Sequence, residues 1–145
     1  MIVLDTNVVS ELARSVPDPR VIRWLDQQAP ESVWSTSVNL FESFYGIEKL
    51  PAGRRRDDLD ANLRMIYGTD LSGRVLSFDT AAAQAAAALL NRCERLGRRI
   101  DVADAQIAGI VHARRGTLAT RNVKHFADTG IKLANPWEES QPRVV

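Results

Sequence analysis

Short apolar runs alternate with longer amphipathic stretches along the whole chain. Residues 2–5, with the sequence IVLD, are β-branched and aliphatic without polar alternation, which predicts a short buried strand. Further strands are predicted at 32–35, 74–79, 117–120 and 131–135. Helices are predicted at 7–13, 19–28, 37–50, 54–71, 80–97 and 98–116. This alternation predicts an α/β fold, with a parallel sheet covered by helices on both faces.

Local signals support several of these helices. Pro19 follows Asp18, which places proline in the first helical position, and Thr6 can cap the helix that follows the first strand. The alanine-rich stretch 80–97 resembles a low-complexity segment. Alanine is, however, the best helix former and permits close helix packing, so we interpret the stretch as an ordinary helix.

Composition narrows the class of protein. At 145 residues the chain fits a single domain over 1–145 that can bury a core of its own. The net charge of +1 requires any nucleic-acid partner to be held by local basic patches. Cys93 is the only cysteine, which predicts neither a disulfide framework nor a zinc site and favours the cytoplasm. No apolar run approaches the roughly 18 residues of a membrane span, so neither a signal peptide nor a membrane segment is expected.

Two acidic residues stand out against apolar surroundings. Asp5 ends the first strand, and ligands of an open parallel sheet collect at the carboxyl ends of its strands. A turn or cap role for Asp5 is the simpler alternative. Glu42 lies in an apolar helix and forms a narrow stripe with Asn39 and Gly46, which could face a cleft. The alternative is that Glu42 fringes the core and pairs with Lys49 or an arginine.

A second acidic pair opens the helix predicted near residue 100. Asp101 is a natural N-cap, and Asp104 would then be the third helical residue of a capping-box variant. The residues after Asp104, AQIAG, are small or apolar. They indicate close packing and a carboxylate that points into a restricted space.

Carboxylates from three segments on one side of the sheet would form an acidic site. Asp5, Glu42 and Asp104 would repel one another, and a divalent cation would relieve that repulsion. Oxygen ligands without a histidine or cysteine cluster favour Mg²⁺, with Mn²⁺ as an alternative. Such an ion supports phosphodiester hydrolysis. The Thr6 hydroxyl could orient the attacking water, although helix capping would also explain this residue.

Four motifs in this order resemble the PIN domain of VapC-type toxins: LDTNVVSEL, SVNLFESFYG, DVADAQIAG and LATRNVKHF. The ending NPWE resembles the FitB-like branch, and the match spans residues 1–137. The resemblance implies a three-layer α/β/α sandwich, Mg²⁺-dependent endoribonuclease activity on RNA, homodimerisation and inhibition by a cognate antitoxin. It places Asp5, Glu42 and Asp104 in the acidic metal site and Thr6 at the hydroxyl position beside it. Operator DNA would be bound only through the antitoxin.

The chain departs from this family at one segment. A further aspartate is common there, where Asn122 or His125 stands in this sequence. Asn122 can offer a carbonyl oxygen but no charge, so a second metal ion lacks a charged protein ligand. Asp101 and Asn122 are therefore expected to be auxiliary ligands at most.

Basic residues must supply the affinity for RNA. They fall into three groups: Arg54, Arg55 and Arg56; Arg92, Arg95, Arg98 and Arg99; and Arg114, Arg115, Arg121 and Lys124. Charge runs are usually solvated surfaces, so no single group is decisive. Arg121 and Lys124 are the expected RNA contacts, because their group lies nearer the proposed site in sequence.

Other functions fit the residues less well. A phosphatase of the haloacid dehalogenase type needs Asp-x-Asp after its first strand, and position 7 is Asn. A response-regulator receiver lacks its middle-strand Asp and downstream Lys, and no Gly-rich loop indicates nucleotide binding. The alternative from another class is a catalytically weak PIN domain that acts as a binding module in a DNA-binding toxin–antitoxin complex, and Asn122 favours it.

Overall fold

Five strands lie side by side in one parallel sheet. The computed structural model describes residues 1–138 of the chain. Within them the strands are β1 (Ile2–Leu4), β2 (Val33–Thr36), β3 (Val75–Leu76), β4 (Thr117–Ala119) and β5 (Lys132–Ala134). Their order is β3-β2-β1-β4-β5, and every neighbouring pair is parallel. The first strand of the chain, β1, is therefore the central strand of the sheet. Its carboxyl end lies between those of β2 and β4.

Seven α-helices connect and flank the strands within the described residues. They are α1 (Thr6–Leu12), α2 (Pro19–Asp26), α3 (Ser37–Glu48), α4 (Arg54–Met65), α5 (Thr80–Arg95), α6 (Val102–Ala113) and α7 (Val123–Phe126). A π-helical turn, Ile66–Asp70, extends α4, and 3₁₀ turns occur at Pro30–Ser32 and Ala127–Thr129. None of the helices in residues 1–138 is both long and apolar enough to cross a membrane.

The sheet separates two apolar cores. Val3 belongs to the core under α5 and α6, whereas the next residue, Leu4, belongs to the core under α1 to α4. Leu118 and Ala119 divide between the two cores in the same way. Because successive side chains of a strand point to opposite faces, helices cover both faces. The predicted three-layer α/β/α sandwich with a central parallel sheet is confirmed.

The alanine-rich helix packs closely on its neighbour. A Cβ atom added to Gly109 of α6 would lie 2.5 Å from the carbonyl oxygen of Ala82 and 2.7 Å from the Cβ of Ala86, both in α5. Only a residue without a side chain fits this crossing. The interpretation of 80–97 as a tightly packed helix is confirmed.

Several predicted boundaries shift. Asp5, rather than Thr6, is the N-cap of α1, because its carboxylate accepts a hydrogen bond from the Thr6 amide. The strand predicted at 74–79 has two residues, since Asp79 already caps α5 through the Ala82 amide. The chain end, 139–145, lies outside the described residues, so the single domain predicted over 1–145 stays a prediction.

Candidate active site

Polar residues follow three adjacent strands at one edge of the sheet. Asp5 comes directly after β1, Thr36 ends β2, and Thr120 comes directly after β4. All three are buried, with Asp5 at 5% exposure. Parallel strands bring their carboxyl ends to the same edge, and the central position of β1 places Asp5 between the other two.

Four donors hold the Asp5 carboxylate. Its Oδ1 accepts hydrogen bonds from the Thr6 amide at 2.8 Å and from Asn39 Nδ2 at 3.1 Å. Its Oδ2 accepts from Thr120 Oγ1 at 2.8 Å and from Asn7 Nδ2 at 3.4 Å. Burial raises the pKa of Asp5, and the four hydrogen bonds oppose that rise. Asp5 is therefore both a helix cap and a carboxylate fixed in one orientation.

Glu42 reaches the same centre from α3. Thr6 Oγ1 donates a hydrogen bond to Glu42 Oε1 at 2.8 Å. Burial raises the pKa of Glu42, and the negative charges of Asp5 and Asp101 add to the rise. Lys49 instead lies 4.3 Å above the ring of Tyr45. The alternative pairing of Glu42 with Lys49 is wrong.

Asp104 lies in the first turn of α6 and differs from Asp5. Burial, followed by the charges of Asp5 and Glu42, raises its pKa to about 6. Nearby Asp101 adds to this rise, and the charge of His125 opposes it. In the part of the chain that the structure describes, no donor satisfies the Asp104 carboxylate. Among the causes of its shift, only the charge of His125 favours the ionised form of Asp104.

Two predicted auxiliary residues occupy the rim. The predicted positions are confirmed, since Asp101 is the N-cap residue of α6 and Asp104 its third residue, but the Asp101 side chain makes no capping hydrogen bond. Asn122 is exposed at the start of α7, and its backbone amide donates to Thr120 Oγ1 at 3.0 Å. The Asp101 carboxylate is thus free to add charge to the site, and the Asn122 backbone supports Thr120.

The donor chemistry of the centre fits a hard divalent cation. Asp5, Glu42 and Asp104 offer only oxygen atoms. Burial raises the pKa of each, and the charges of neighbouring carboxylates add to the rise at Glu42 and Asp104. As they stand, no three His, Cys, Asp or Glu side chains within residues 1–138 form a metal-chelating group. The three carboxylates would have to draw closer together to share an ion.

The sequence pattern did not identify every polar partner. Thr120 and Asn7 complete the setting of Asp5, and neither of them was predicted. The available signal was the polar residue directly after the apolar run of β4, which is the same signal that marked Asp5. In the predicted stripe, Glu42 and Gly46 do line a cleft, whereas Asn39 is fully buried.

The cleft begins at Thr6 and Glu42 and has a volume of about 1050 Å³. It runs between α1, α3 and α4, and Ile47, Leu63 and Trp137 are among its apolar lining residues. Its lining also includes four arginines: Arg14, Arg54, Arg55 and Arg121. The Arg121 guanidinium lies 5.0 Å from the centre of the Trp137 ring. The lining thus combines these four arginines with two acidic residues besides Glu42, namely Glu11 and Asp58.

The basic residues predicted from sequence differ in whether they line the cleft. Arg54, Arg55 and Arg121 line the cleft, and Arg14, which was not predicted, joins them. Lys124 is exposed on α7 and is not among the lining residues. Several others pair within the fold: Arg56 with Glu48, Arg98 with Asp128, and Arg114 with Asp79.

Comparisons with known proteins agree with this architecture. A model of the PIN domain matches residues 2–132. The chain is 40% identical over 138 residues to the plasmid stability protein StbB of Pseudomonas syringae pv. tomato, covering 95% of this chain and 99% of that protein. It is 38% identical over 138 residues to the VapC ribonuclease Y4jK of Sinorhizobium fredii, with the same coverage.

A solved structure extends the comparison to three dimensions. The structure of FitAB bound to an IR36 DNA fragment matches with a TM-score of 0.88 and 31% identity, over 97% of this chain and 99% of that one. The toxin FitB of Neisseria gonorrhoeae is 32% identical over 139 residues, which is 96% of this chain and 100% of FitB. The resemblance to VapC-type and FitB-like proteins is confirmed, and the chain belongs to the PIN-domain family.

Proposed function

We propose that this chain is a Mg²⁺-dependent endoribonuclease toxin of a type II toxin–antitoxin pair. The observation that carries the proposal is the electrostatic coupling of three carboxylates: burial raises the pKa of Asp5, Glu42 and Asp104, and the charge of Asp5 raises the pKa of the other two further. The cleft beside them is lined by arginines, as binding of a phosphodiester chain requires. The relatives named VapC ribonuclease and toxin FitB support the same conclusion.

Asp5, Glu42 and Asp104 would hold the ion, either Mg²⁺ or Mn²⁺, with Asp101 adding charge from the rim. When bound, such an ion lowers the pKa of a coordinated water and neutralises charge on the phosphoryl group. The chain's own contribution is orientation. Four donors fix Asp5, and the Thr6 hydroxyl holds one oxygen of Glu42.

The cleft would bind the RNA backbone. Arg14, Arg54, Arg55 and Arg121 would contact phosphates, and Lys124 would add charge from α7. Arg14 is already placed by an ion pair with Glu11 at 2.9 Å. Neutralising several phosphates makes binding weaken as salt rises.

Protein partners are a cognate antitoxin and a second copy of the chain, and operator DNA would be reached only through the antitoxin. All of these would be met in the cytoplasm. The dimer surface would include Phe41 and Tyr45, whose stacked rings are 65% and 52% exposed with centroids 5.9 Å apart. Large exposed aromatic residues are typical of interaction sites. We expect sedimentation to give a dimer at micromolar concentration and Phe41→Ser with Tyr45→Ser to give a monomer.

A second function stays open because of Asn122. Without an aspartate at this position, a catalytically weak chain would act mainly as a binding module in a DNA-binding toxin–antitoxin complex. That chain would still bind its antitoxin but would cleave RNA slowly or not at all.

The purified chain separates the two functions. RNA oligonucleotides are incubated with the chain in Mg²⁺, in EDTA, and with Asp104→Asn in Mg²⁺. Cleavage by the wild type in Mg²⁺ alone supports the nuclease. Equal cleavage in all three reactions contradicts the proposed site, and absence of cleavage with intact antitoxin binding favours the binding module. A small upstream gene for a DNA-binding protein would identify the antitoxin.

A further inference from the structure

Asn39 connects the end of β2 to two residues of the acidic centre. It lies in the first turn of α3 and is fully buried. Its Nδ2 donates to Asp5 Oδ1 at 3.1 Å and to Thr6 Oγ1 at 3.0 Å. Its Oδ1 accepts from Thr36 Oγ1 at 2.6 Å. One amide group thus contacts two side chains of the centre and one of the strand behind it.

The direction of each of these hydrogen bonds is fixed. Thr36 Oγ1 accepts from the Asn39 backbone amide at 3.1 Å, so its single proton is free to point at Asn39 Oδ1. The Asp5 carboxylate can only accept, so Nδ2 faces Asp5 and Thr6, and Thr36 supplies the donor that Oδ1 needs on the other side. Since Thr6 Oγ1 accepts one of those protons, its own proton goes to Glu42 Oε1. The orientation set at Thr36 therefore passes through Asn39 and Thr6 to Glu42.

Helix formation does not need the Asn39 side chain. Thr36 caps α3 by accepting from the Asn39 backbone amide, and any residue other than proline supplies that donor. Within the described residues, the amide group of Asn39 bonds only to Thr36, Asp5 and Thr6. A buried side-chain amide whose partners lead to the acidic centre serves that centre.

We propose that Asn39, oriented by Thr36, is a positioning residue that presents Asp5 and, through Thr6, Glu42 to the divalent cation. The inference rests on the proposed metal-dependent function. Partners that orient metal ligands in this way typically change metal affinity by about 10- to 100-fold. Without Asn39, Asp5 Oδ1 loses one of its two donors and Thr6 loses the group that turns its proton towards Glu42.

The test is Mn²⁺ affinity measured by calorimetry without RNA, together with thermal unfolding of each variant. Asn39→Ala is expected to weaken Mn²⁺ binding by about 10-fold or more. Thr36→Val should weaken it as well, whereas Thr36→Ser keeps the hydroxyl and should bind like the wild type. The Thr36 pair keeps the test informative if Asn39→Ala folds poorly. In RNA cleavage, excess Mn²⁺ should restore the rate of Asn39→Ala.

Ser35→Ala is the matched control. Ser35 is also fully buried in β2, but its hydroxyl donates to the Leu4 carbonyl and not to the centre. We expect it to lower the melting temperature without changing Mn²⁺ affinity. Equal losses of affinity in Ser35→Ala and Asn39→Ala would show a merely structural effect and overturn the inference.

A double-mutant cycle tests whether Thr36 acts on the metal site through Asn39. If Thr36 acts through Asn39, Thr36→Val should cost no further Mn²⁺ affinity in the Asn39→Ala background. Additive losses would overturn that order. Wild-type Mn²⁺ affinity in Asn39→Ala would overturn the inference and leave the proposed function standing, whereas a wild type that binds no Mn²⁺ would overturn both.

Discussion

Helices α5 and α6 approach each other through small apolar residues, whereas α1 and α3 meet over a buried polar network. At the first contact, a Cβ on Gly109 would lie 2.5 Å from a carbonyl oxygen of α5. At the second, Asn39 is fully buried and hydrogen-bonded to Thr36, Asp5 and Thr6. The first contact is specified by volume. The second is specified by the direction of hydrogen bonds and by charge.

The two regions also differ in what they contribute. Apolar packing between α5 and α6 stabilises the fold and has no need of polar partners. Burial raises the pKa of Asp5, Glu42 and Asp104, and the charge of Asp5 adds to the rise at the other two. Crowded carboxylates destabilise the ion-free protein at neutral pH. A cation bound at the site would offset this loss of stability.

The largest effect is expected from Asp5→Asn. RNA cleavage should fall by about 100-fold or more, because a ligand charge is removed from the ion. The variant should also lose about 1–3 kcal/mol of stability, since one side-chain NH₂ would face donors that now point at a carboxylate oxygen. RNA cleavage at matched Mg²⁺ and urea unfolding check both parts.

The exposed Asp26→Asn serves as the control for Asp5→Asn. Wild-type cleavage by Asp5→Asn would show that the centre is assigned wrongly. Unchanged stability would show that the four donors matter less than their distances indicate.

Gly109→Ala tests the apolar contact between α5 and α6. The added methyl meets backbone atoms of α5 that cannot move aside singly, so we expect a loss of about 1–3 kcal/mol. Cleavage per folded molecule should fall far less than in Asp5→Asn, because the added methyl meets α5 and not the centre, although α6 also carries Asp104. Gly68→Ala is the control, since nothing lies within 4 Å of its added Cβ. Equal stability of the two variants in urea would contradict the close packing.

The sequence predicted the regular parts of the molecule because they follow from periodicity. The alternation of strands and helices indicated the parallel sheet, and the small residues of 80–97 indicated close packing. Short elements were predicted less well: β3 was predicted but has only two residues, and α7, with four residues, is too short for a period to be recognised. The N-cap of α1 was predicted at Thr6 but lies one position earlier, at Asp5, which was predicted as the last residue of the first strand.

The centre was predictable only in part. Asp5, Glu42 and Asp104 were singled out as charges in apolar surroundings, and the electrostatic coupling of their pKa values shows that the fold brings them close. Thr120 is 115 positions from Asp5 in sequence, and nothing local announces their hydrogen bond. Arg14 reaches the cleft because α1 and α4 line it together. Such partners depend on tertiary packing.

Asp104→Asn sharpens the contrast between the two aspartates. The folded pKa of Asp104 is about 6, above its ordinary value of 3.8. Because the folded chain binds this proton more tightly than the unfolded chain, protonation of Asp104 stabilises the fold. This contribution to the free energy of unfolding is fully present below pH 3.8 and is lost as the pH rises through 6. In EDTA, the stability of Asp104→Asn relative to the wild type should rise across this window by about 1–2 kcal/mol, after allowance for partial exposure.

Urea unfolding at several pH values measures this difference. Saturating Mg²⁺ should reverse the order at neutral pH, because the ion stabilises only the chain that binds it. A difference that stays flat from pH 4 to pH 8 would contradict the crowding of Asp104 by its neighbours.

The smallest effect is expected from Asn122→Asp, which tests how many ions the centre holds. Asp5, Glu42 and Asp104 supply three negative charges, enough for one divalent ion with a surplus, and Asp101 adds a fourth from the rim. A second ion would still lack a charged protein ligand on its own side, because neither position 122 nor position 125 is an aspartate. We expect at most one well-ordered ion in the free protein, with a second ion arriving only with the RNA phosphate. The Asn122 backbone amide already supports Thr120, so an aspartate there adds charge without disturbing Asp5.

Asn122→Asp should lower the Mg²⁺ concentration for half-maximal cleavage by about two- to five-fold, the range of an exposed charge interaction. Asn91→Asp adds the same charge at an exposed position on α5 and should leave that concentration unchanged. Anomalous scattering from Mn²⁺-soaked crystals counts the ions directly. Two fully occupied sites in the wild type without RNA would refute the charge argument, because the second ion would then be held without an acidic residue at position 122.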